Sequence, residues 1–290
     1  MKIKIVCAGN VANMILLYIS LFKRNVLRME VNMLANIVLN ASTPTNTFEW
    51  MTFLADKYSN LFIEGTKLTL YVAVIGTIIG FILGYVLGII EDIKIQKGDN
   101  IFKVVFVKTL KFFAKVYVEV FRDTPMIVQA MVVFYGLRQA GSQIEPMAAG
   151  ILVTVLNTGA YMSETVRAGI NSIDLGQKEG ALALGMSPMS AMFHIILPQA
   201  IKNIIPEMSN LFLTNLKMTS VLNVIGVHEL FMMAKTAGGT YYKYYESYLV
   251  IAIIYFVMCY VFNRIFLFVE KRANGKKDYA LAIEYMEDTQ

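Results

Sequence analysis

Two polar series interrupt an otherwise apolar sequence at helical spacing. Asn157, Tyr161 and Glu164 fall at i, i+4 and i+7, and Asn210, Thr214 and Lys217 repeat that spacing. Side chains so spaced share one face of a helix. An amide, a phenol, a carboxylate, a hydroxyl and an ammonium in such stripes can hold a charged or polar solute, but they do not make a reaction centre. Catalytic groups are scarce. His194 and His228 are the only histidines, and neither belongs to an HExxH or His-x-His pattern. Cys7 and Cys259 are too few for a disulfide framework or a Cys-rich metal site. No nucleophile–base pair and no set of metal ligands stands at helical spacing. The P-loop pattern GxxxxGK[ST] is missing as well, so any ATP used by this system is expected on another polypeptide.

The elements that position these stripes follow from composition. The chain has 290 residues, of which 57% are hydrophobic and 16% charged, against about 25% charged in ordinary soluble chains. Mean hydropathy is +0.56. A soluble domain this apolar would have too little polar surface to cover its core, so the expected class is an all-α membrane protein with the lipid bilayer as its surroundings. The net charge of +5 would suggest nucleic acid in a soluble protein; here the basic residues lie between apolar spans and report topology, with no nucleic-acid partner.

About 20 apolar residues cross a hydrocarbon core. Five such spans are read, at residues 68–90, 116–137, 147–166, 203–227 and 248–268. Lys94, Lys97, Lys103, Lys108, Lys111 and Lys115 form a dense run that the positive-inside rule places in the cytoplasm. Lys271, Arg272, Lys276 and Lys277 place the C-terminal tail there too. Residues 138–146 and 229–246 then lie outside, the Tyr-rich stretch 241–248 falls at the outer interface, and residues 167–202 form a long cytoplasmic segment. Residues 5–22 read either as a signal-like segment or as a short sixth helix. Lys23, Arg24 and Arg28 would then break the charge rule, and Met29 and Met33 are alternative starts. The expected organisation is an extension over 1–56, a membrane domain over 57–270 and a tail over 271–290.

Gly76, Gly80, Gly84 and Gly88 recur every fourth residue in the first span. Such a face admits another helix at close range or lines a path, with packing the stronger reading. In the long cytoplasmic segment, QKEGALAL reads as a short helix stopped at Gly185, and Ser187-Pro188 as the cap and first turn of the next. That elbow suits a cleft on another protein, with His194 on its interface. Arg122 and Asp123 are expected near the cytoplasmic start of the second span as a structural or gating pair.

The spacing from Glu179 and Ala181 through Gly185 to Ile195, Leu197 and Pro198 resembles the EAA motif of permease subunits in bacterial binding-protein-dependent ABC importers, with Gly180 in place of the motif's middle alanine. Tyr117, Glu119, Phe121, Arg122, Thr124, Pro125 and Gln129 are similar to the F-R-G-T-P-x-x-V-Q signature of the polar amino-acid permeases, with Asp123 where glycine is usual. The stretches AYMSETVRAGI (residues 160–170) and NLKMTSVLNVIGVHEL (residues 215–230) match the same subfamily, with Met218 where it has Asp. The resemblance covers roughly residues 57–270.

This resemblance implies a type I importer fold in the bacterial cytoplasmic membrane, working as a transport subunit and not as an enzyme. It implies two ABC ATPase subunits holding ATP and Mg, a second permease that is either a copy of this chain or a paralogue, and an extracytoplasmic amino-acid-binding protein. Residues 174–186 would be the coupling helix, with Glu179, Ala181, Gly185, Ile195, Leu197 and Pro198 as its coupling residues. Glu119, Arg122, Thr124, Pro125, Gln129 and Arg167 are assigned to gating or structure. Glu164 and Lys217 complement the ammonium and carboxylate of an amino acid; equally, Glu164 pairs with Arg167 or Lys217 to hold helices together. Met218 suggests the weaker binding half of a heterodimer. The alternative function is a gradient-driven carrier or channel, for which inverted repeats or rings of charge are expected; the sequence shows no internal repeat.

Overall fold

The computed structural model describes residues 44–274 apart from 94, 96 and 97. Cys7, the N-terminal apolar segment, Lys94, Lys97, Lys276 and Lys277 lie outside the described residues. Every regular element among those described is helical. Those of nine residues or more are, in chain order, α1 (Thr47–Lys57), α2 (Ser59–Asp92), α3 (Ile101–Asp123), α4 (Met126–Gln139), α5 (Pro146–Asn171), α6 (Leu175–Ala183), α7 (Leu197–Met218), α8 (Leu230–Tyr241) and α9 (Tyr244–Asn274). The chain divides at Phe53/Leu54 into two units. In the first, the Asn46 side chain accepts from the Glu49 N–H at 2.9 Å and starts α1, while Glu49 accepts from the N–H and hydroxyl of Thr45. Those bonds hold the Glu49 carboxyl below its ordinary range.

In the second unit, α2 and α9 are long and apolar enough to cross a bilayer; 34 residues of helix extend about 51 Å. Their outer faces leave Ile78, Ile82 and Val86 of α2 and Phe256, Val257 and Tyr260 of α9 exposed. A continuous apolar surface of this kind belongs against lipid rather than water.

The inner face of α2 packs on α5. A Cβ added at Gly76 would sit 2.5 Å from the Thr154 side chain, at Gly80 2.5 Å from Thr158, at Gly84 2.4 Å from Met162 and at Gly88 2.8 Å from Val166. The four glycines therefore receive four side chains of one α5 face, and the stripe is filled by packing. Apolar clusters lie on either side of its midpoint. One joins Val72, Phe134, Val153 and Leu222, and the other joins Met162, Val166, Ile196 and Ile204. Between them, the buried Asn215 amide of α7 donates to Thr77 Oγ1 of α2 and to Thr158 Oγ1 of α5, both at 2.8 Å. One buried amide thus ties three helices together, its donors satisfied within the protein.

Two stretches between the expected spans are helical. Lys103, Lys108, Lys111 and Lys115 belong to the continuous helix α3. The lysines lowered the average hydropathy of its first half, while the alternation with Phe102, Val105, Phe106, Phe112 and Phe113 kept the segment amphipathic. Lys111 Nζ caps the C-terminal end of α2 by donating to the Glu91 carbonyl at 2.7 Å. Likewise, residues 229–246 are largely helical: α8 packs on α2 and α9 and is followed by Tyr242, whose φ of 57° turns the chain into α9.

Candidate functional site

The site begins where α3 breaks. Pro125 has no N–H to donate and disfavours helical geometry at the residue before it, and Thr124 is accordingly extended (φ −114°, ψ 144°). A helix end leaves carbonyls without partners. Here the buried Gln129 amide donates to the Phe121 carbonyl at 2.8 Å, to the Thr124 carbonyl at 2.9 Å and to Thr124 Oγ1 at 2.9 Å. The chain then resumes as α4.

The polar stripe of α5 docks onto this break. Asn157 Nδ2 donates to the Phe121 carbonyl at 3.2 Å and to Gln129 Oε1 at 3.1 Å. The Tyr161 hydroxyl donates to the Arg122 carbonyl at 3.3 Å, and Glu164 Oε1 lies 2.6 Å from Arg122 Nη1. Arg122, Thr124 and Gln129, read as gating residues, and Asn157, Tyr161 and Glu164, read as path residues, therefore form one continuous assembly. Glu164 pairs with Arg122, not with Arg167 or Lys217 as the sequence suggested. Arg167, one turn farther along α5, reaches Glu91 of α2 at 3.8 Å instead. Arg122 and Asp123 stand at the C-terminal end of α3, about 33 Å along the helix from Ile101. Glu119 is an exposed partner of Lys115 at 3.6 Å and does not reach Glu164.

The second polar series lies on α7. Asn210, Thr214 and Lys217 are all exposed, and Asn203 and Glu207 extend the same face toward the helix start. Asn210 Nδ2 approaches Glu207 Oε2 at 3.5 Å, and no ion pair engages Lys217 among the described residues. The structure does not join Glu164 to Lys217. A cavity of about 740 Å³ opens between α5 and α7, with Glu164, Arg167, Asn171, Asn203 and Glu207 in its wall. A second, of about 400 Å³, shares Glu164 and Arg167 and continues past Glu91, Lys111 and Arg122. Both signs of charge face these spaces, a lining suited to charge-assisted hydrogen bonds with a small polar or zwitterionic solute. Sequence reasoning missed Glu207 and Asn215; Glu207 could have been found by carrying the Asn210 spacing one turn back.

The third element is the elbow. Asp174 accepts from the Gly176 N–H at 2.6 Å and starts α6. Gly185 ends the turn with φ 84°, a conformation other residues avoid. Ser187 Oγ accepts from the Ser190 N–H at 3.2 Å, with Pro188 at the first position of a single helical turn. A wider turn over Met192–Ile196 follows, in which the Leu197 N–H reaches back to the Met192 carbonyl; Pro198, without an N–H, then opens α7. Of the residues expected to couple, Glu179, Gly185 and Pro198 are exposed, Ile195 is half-buried, and Ala181 and Leu197 are buried within the chain. Ala181 and Leu197 thus hold the elbow together from inside. Its outer surface carries Glu179 with Leu184 and Phe193, of which Leu184 is 86% exposed. His194 is also exposed, its Nδ1 3.0 Å from the Ser190 carbonyl. No group of three or more metal-ligating side chains occurs among the described residues.

Comparison with known proteins places these features in context. Residues 101–275 match the family described as binding-protein-dependent transport system inner membrane component. The arginine transport system permease protein ArtQ of Bacillus subtilis (strain 168) is 40% identical over 162 residues, 56% of this chain and 74% of that protein. The putative glutamine transport system permease protein GlnP of Rickettsia bellii (strain RML369-C) is 33% identical over 227 residues, 78% of this chain and 98% of that protein. Among solved structures, a chain from an amino acid ABC transporter with histidines superimposes with a TM-score of 0.69 at 35% identity, over 79% of this chain and 100% of its own length. The inward-facing MetNI methionine ABC transporter shares the fold, with a TM-score of 0.62 at 18% identity over 75% of this chain and 98% of that one.

Proposed function

We propose, from the premise that this chain belongs to the binding-protein-dependent transport system inner membrane component family and to its amino acid ABC permeases, that it is the membrane subunit through which an ATP-driven importer moves a polar amino acid into the cell. The observation that carries this reading is the exposed polar face of α7, from Asn203 through Glu207, Asn210 and Thr214 to Lys217. Beside the apolar outer faces of α2 and α9, such a face needs water or a partner next to it. A hydrophilic path between two permeases, this chain with a copy or a paralogue, supplies both.

In this reading five spans cross the bacterial cytoplasmic membrane, residues 57–270 form the transport domain, and the tail beyond residue 270 is cytoplasmic. Residues 1–56 are an extension to that domain. The elbow faces the cytoplasm and seats in a groove on one of two ATPase subunits, which hold the ATP and Mg; an extracytoplasmic binding protein delivers cargo to the other side. Glu179 makes the polar contact, and Leu184 supplies apolar area beside it. Closure of the ATPases moves α6, and the buried Ala181 and Leu197 pass the motion to α7. There Ile204 packs so tightly against Gly169 that a Cβ at Gly169 would fall 2.4 Å from it, so α5 follows. The Arg122–Glu164 pair and the break at Pro125 give α5 a contact that can open and reform during the cycle, with Lys217 and Glu164 available to the carboxylate and ammonium of the cargo.

The test is uptake by proteoliposomes that contain this chain, its ATPase and its binding protein. Amino acid accumulation that requires internal ATP is expected. Accumulation driven by an ion gradient with no ATPase present would sink the proposal.

A further inference from the structure

A groove separate from the polar path lies between the end of α2, the start of α3 and the elbow. It has a volume of about 640 Å³; Ile89, Leu182, Met189 and Met192 form its apolar wall, and Lys103 and Lys178 its basic groups. Lys103 Nζ rests on Asp99 at 2.6 Å with its side chain 58% exposed, and an ammonium has three donors to give. Lys178 is half-buried, and no ion pair engages it among the described residues. Asp92 lies in the lining and Asp99 beside Lys103, so Lys178 is the lining cation without a carboxylate partner among the described residues.

The first turns of α3 beside this groove are unusual. Ile101, Phe102, Val105 and Phe106 are 66%, 80%, 57% and 67% exposed, and together they line an open, almost wholly apolar trough of about 620 Å³. Lys103 stands in the same turns, so one short stretch presents acyl-like surface and a cation side by side. A helix with that division lies at a membrane interface, its apolar face in the acyl region and its lysines among headgroups.

We propose that this groove binds an acidic phospholipid of the cytoplasmic leaflet, with the phosphate held by Lys103 and Lys178 and an acyl chain laid along Ile101, Phe102, Val105 and Phe106. Its place on the cytoplasmic side rests on the orientation given under Proposed function. A free phosphate would use the lysines and leave the apolar trough empty, and an acidic segment of a partner protein would likewise make no use of it. Lys178 lies on α6, so an occupied groove also ties the elbow to the membrane surface.

The experiment uses the full chain in nanodiscs of phosphatidylcholine with one quarter phosphatidylglycerol, and counts the lipids that stay bound on release into the gas phase by native mass spectrometry. Preferential retention of phosphatidylglycerol is expected, weakened roughly fivefold by Lys178→Gln or Lys103→Gln and more by the pair. Lys178→Arg should retain it, and Lys235→Gln, on exposed surface in α8, should change nothing. Equal retention of both lipids, undiminished retention by the double variant, or equal loss in Lys235→Gln would overturn the proposal. So would displacement of phosphatidylglycerol by millimolar inorganic phosphate, or lysine variants that lose ATPase recovery while keeping the lipid. The lipid count needs neither ATPase nor cargo, so its failure is distinct from failure of the transport reading.

Discussion

Arg122 and Glu164 meet at 2.6 Å, joining the end of α3 to the polar stripe of α5 at the place where Pro125 breaks the chain. The pair is partly exposed, so its net contribution to stability is about 1 kcal/mol or less. Its larger effect is orientation, because like charges at this separation would drive the two helices apart. Arg122→Glu and Glu164→Arg should each lower ATP-dependent uptake severalfold, and the exchanged double variant should recover a substantial part of it. A double variant no better than the worse single variant would show that the two residues act separately.

Gly84 and Met162 provide a test of the α2–α5 contact. A Cβ at position 84 would lie 2.4 Å from Met162 Cβ, whereas one at Gly136 in α4 would meet nothing within 4 Å. Gly84→Ala should destabilise the detergent-solubilised chain by about 1–3 kcal/mol. Gly136→Ala should be neutral or slightly stabilising, by up to about 1 kcal/mol. Thermal unfolding of the two variants beside wild type checks both signs.

Asn215→Leu removes the amide that satisfies Thr77 and Thr158. Buried polar groups left without partners cost about 1–3 kcal/mol in water-soluble proteins and somewhat less between membrane helices. A lower unfolding temperature is expected, partly restored when Thr77→Val and Thr158→Val are added so that the site becomes wholly apolar. An unchanged unfolding temperature in Asn215→Leu would remove this amide from the account of how the three helices are held.

Asp174 caps α6 through the Gly176 N–H. Asp174→Ala should weaken the helix by about 1 kcal/mol and reduce uptake by roughly fivefold if the elbow must be formed to engage its partner. Asp174→Asn, which caps equally well, should restore uptake. Equal losses from both would assign the effect to charge.

What could be read in the sequence follows a physical division. The glycine stripe, the stop at Gly185 and the Ser187–Pro188 start are local chemistry, and the structure shows each where the residues indicated. The polar stripe of α5 was equally legible as a stripe. Its partners were not, because the choice of Arg122 over Arg167 for Glu164 depends on how α3 and α5 are set against one another. Asn215 was hidden for a similar reason: it lies next to the exposed Thr214, and its role exists only once Thr77 and Thr158 arrive from other helices. The start of α3 was obscured by its own lysines, whose long side chains let an amphipathic helix carry charge without leaving the membrane surface. Buried Ala181 and Leu197 showed the opposite limit, since a motif's spacing does not say which of its residues face inward.

The central claim is that the exposed surface around Glu179 engages an ATPase subunit, and it is tested most directly by recovering this chain from its native host in gentle detergent, as wild type and as Glu179→Arg. The account predicts an ABC ATPase bound to the wild-type chain and lost, or largely lost, from the variant, with both chains folded and in the membrane in equal amounts. An ATPase recovered equally with both, or with neither, would contradict it.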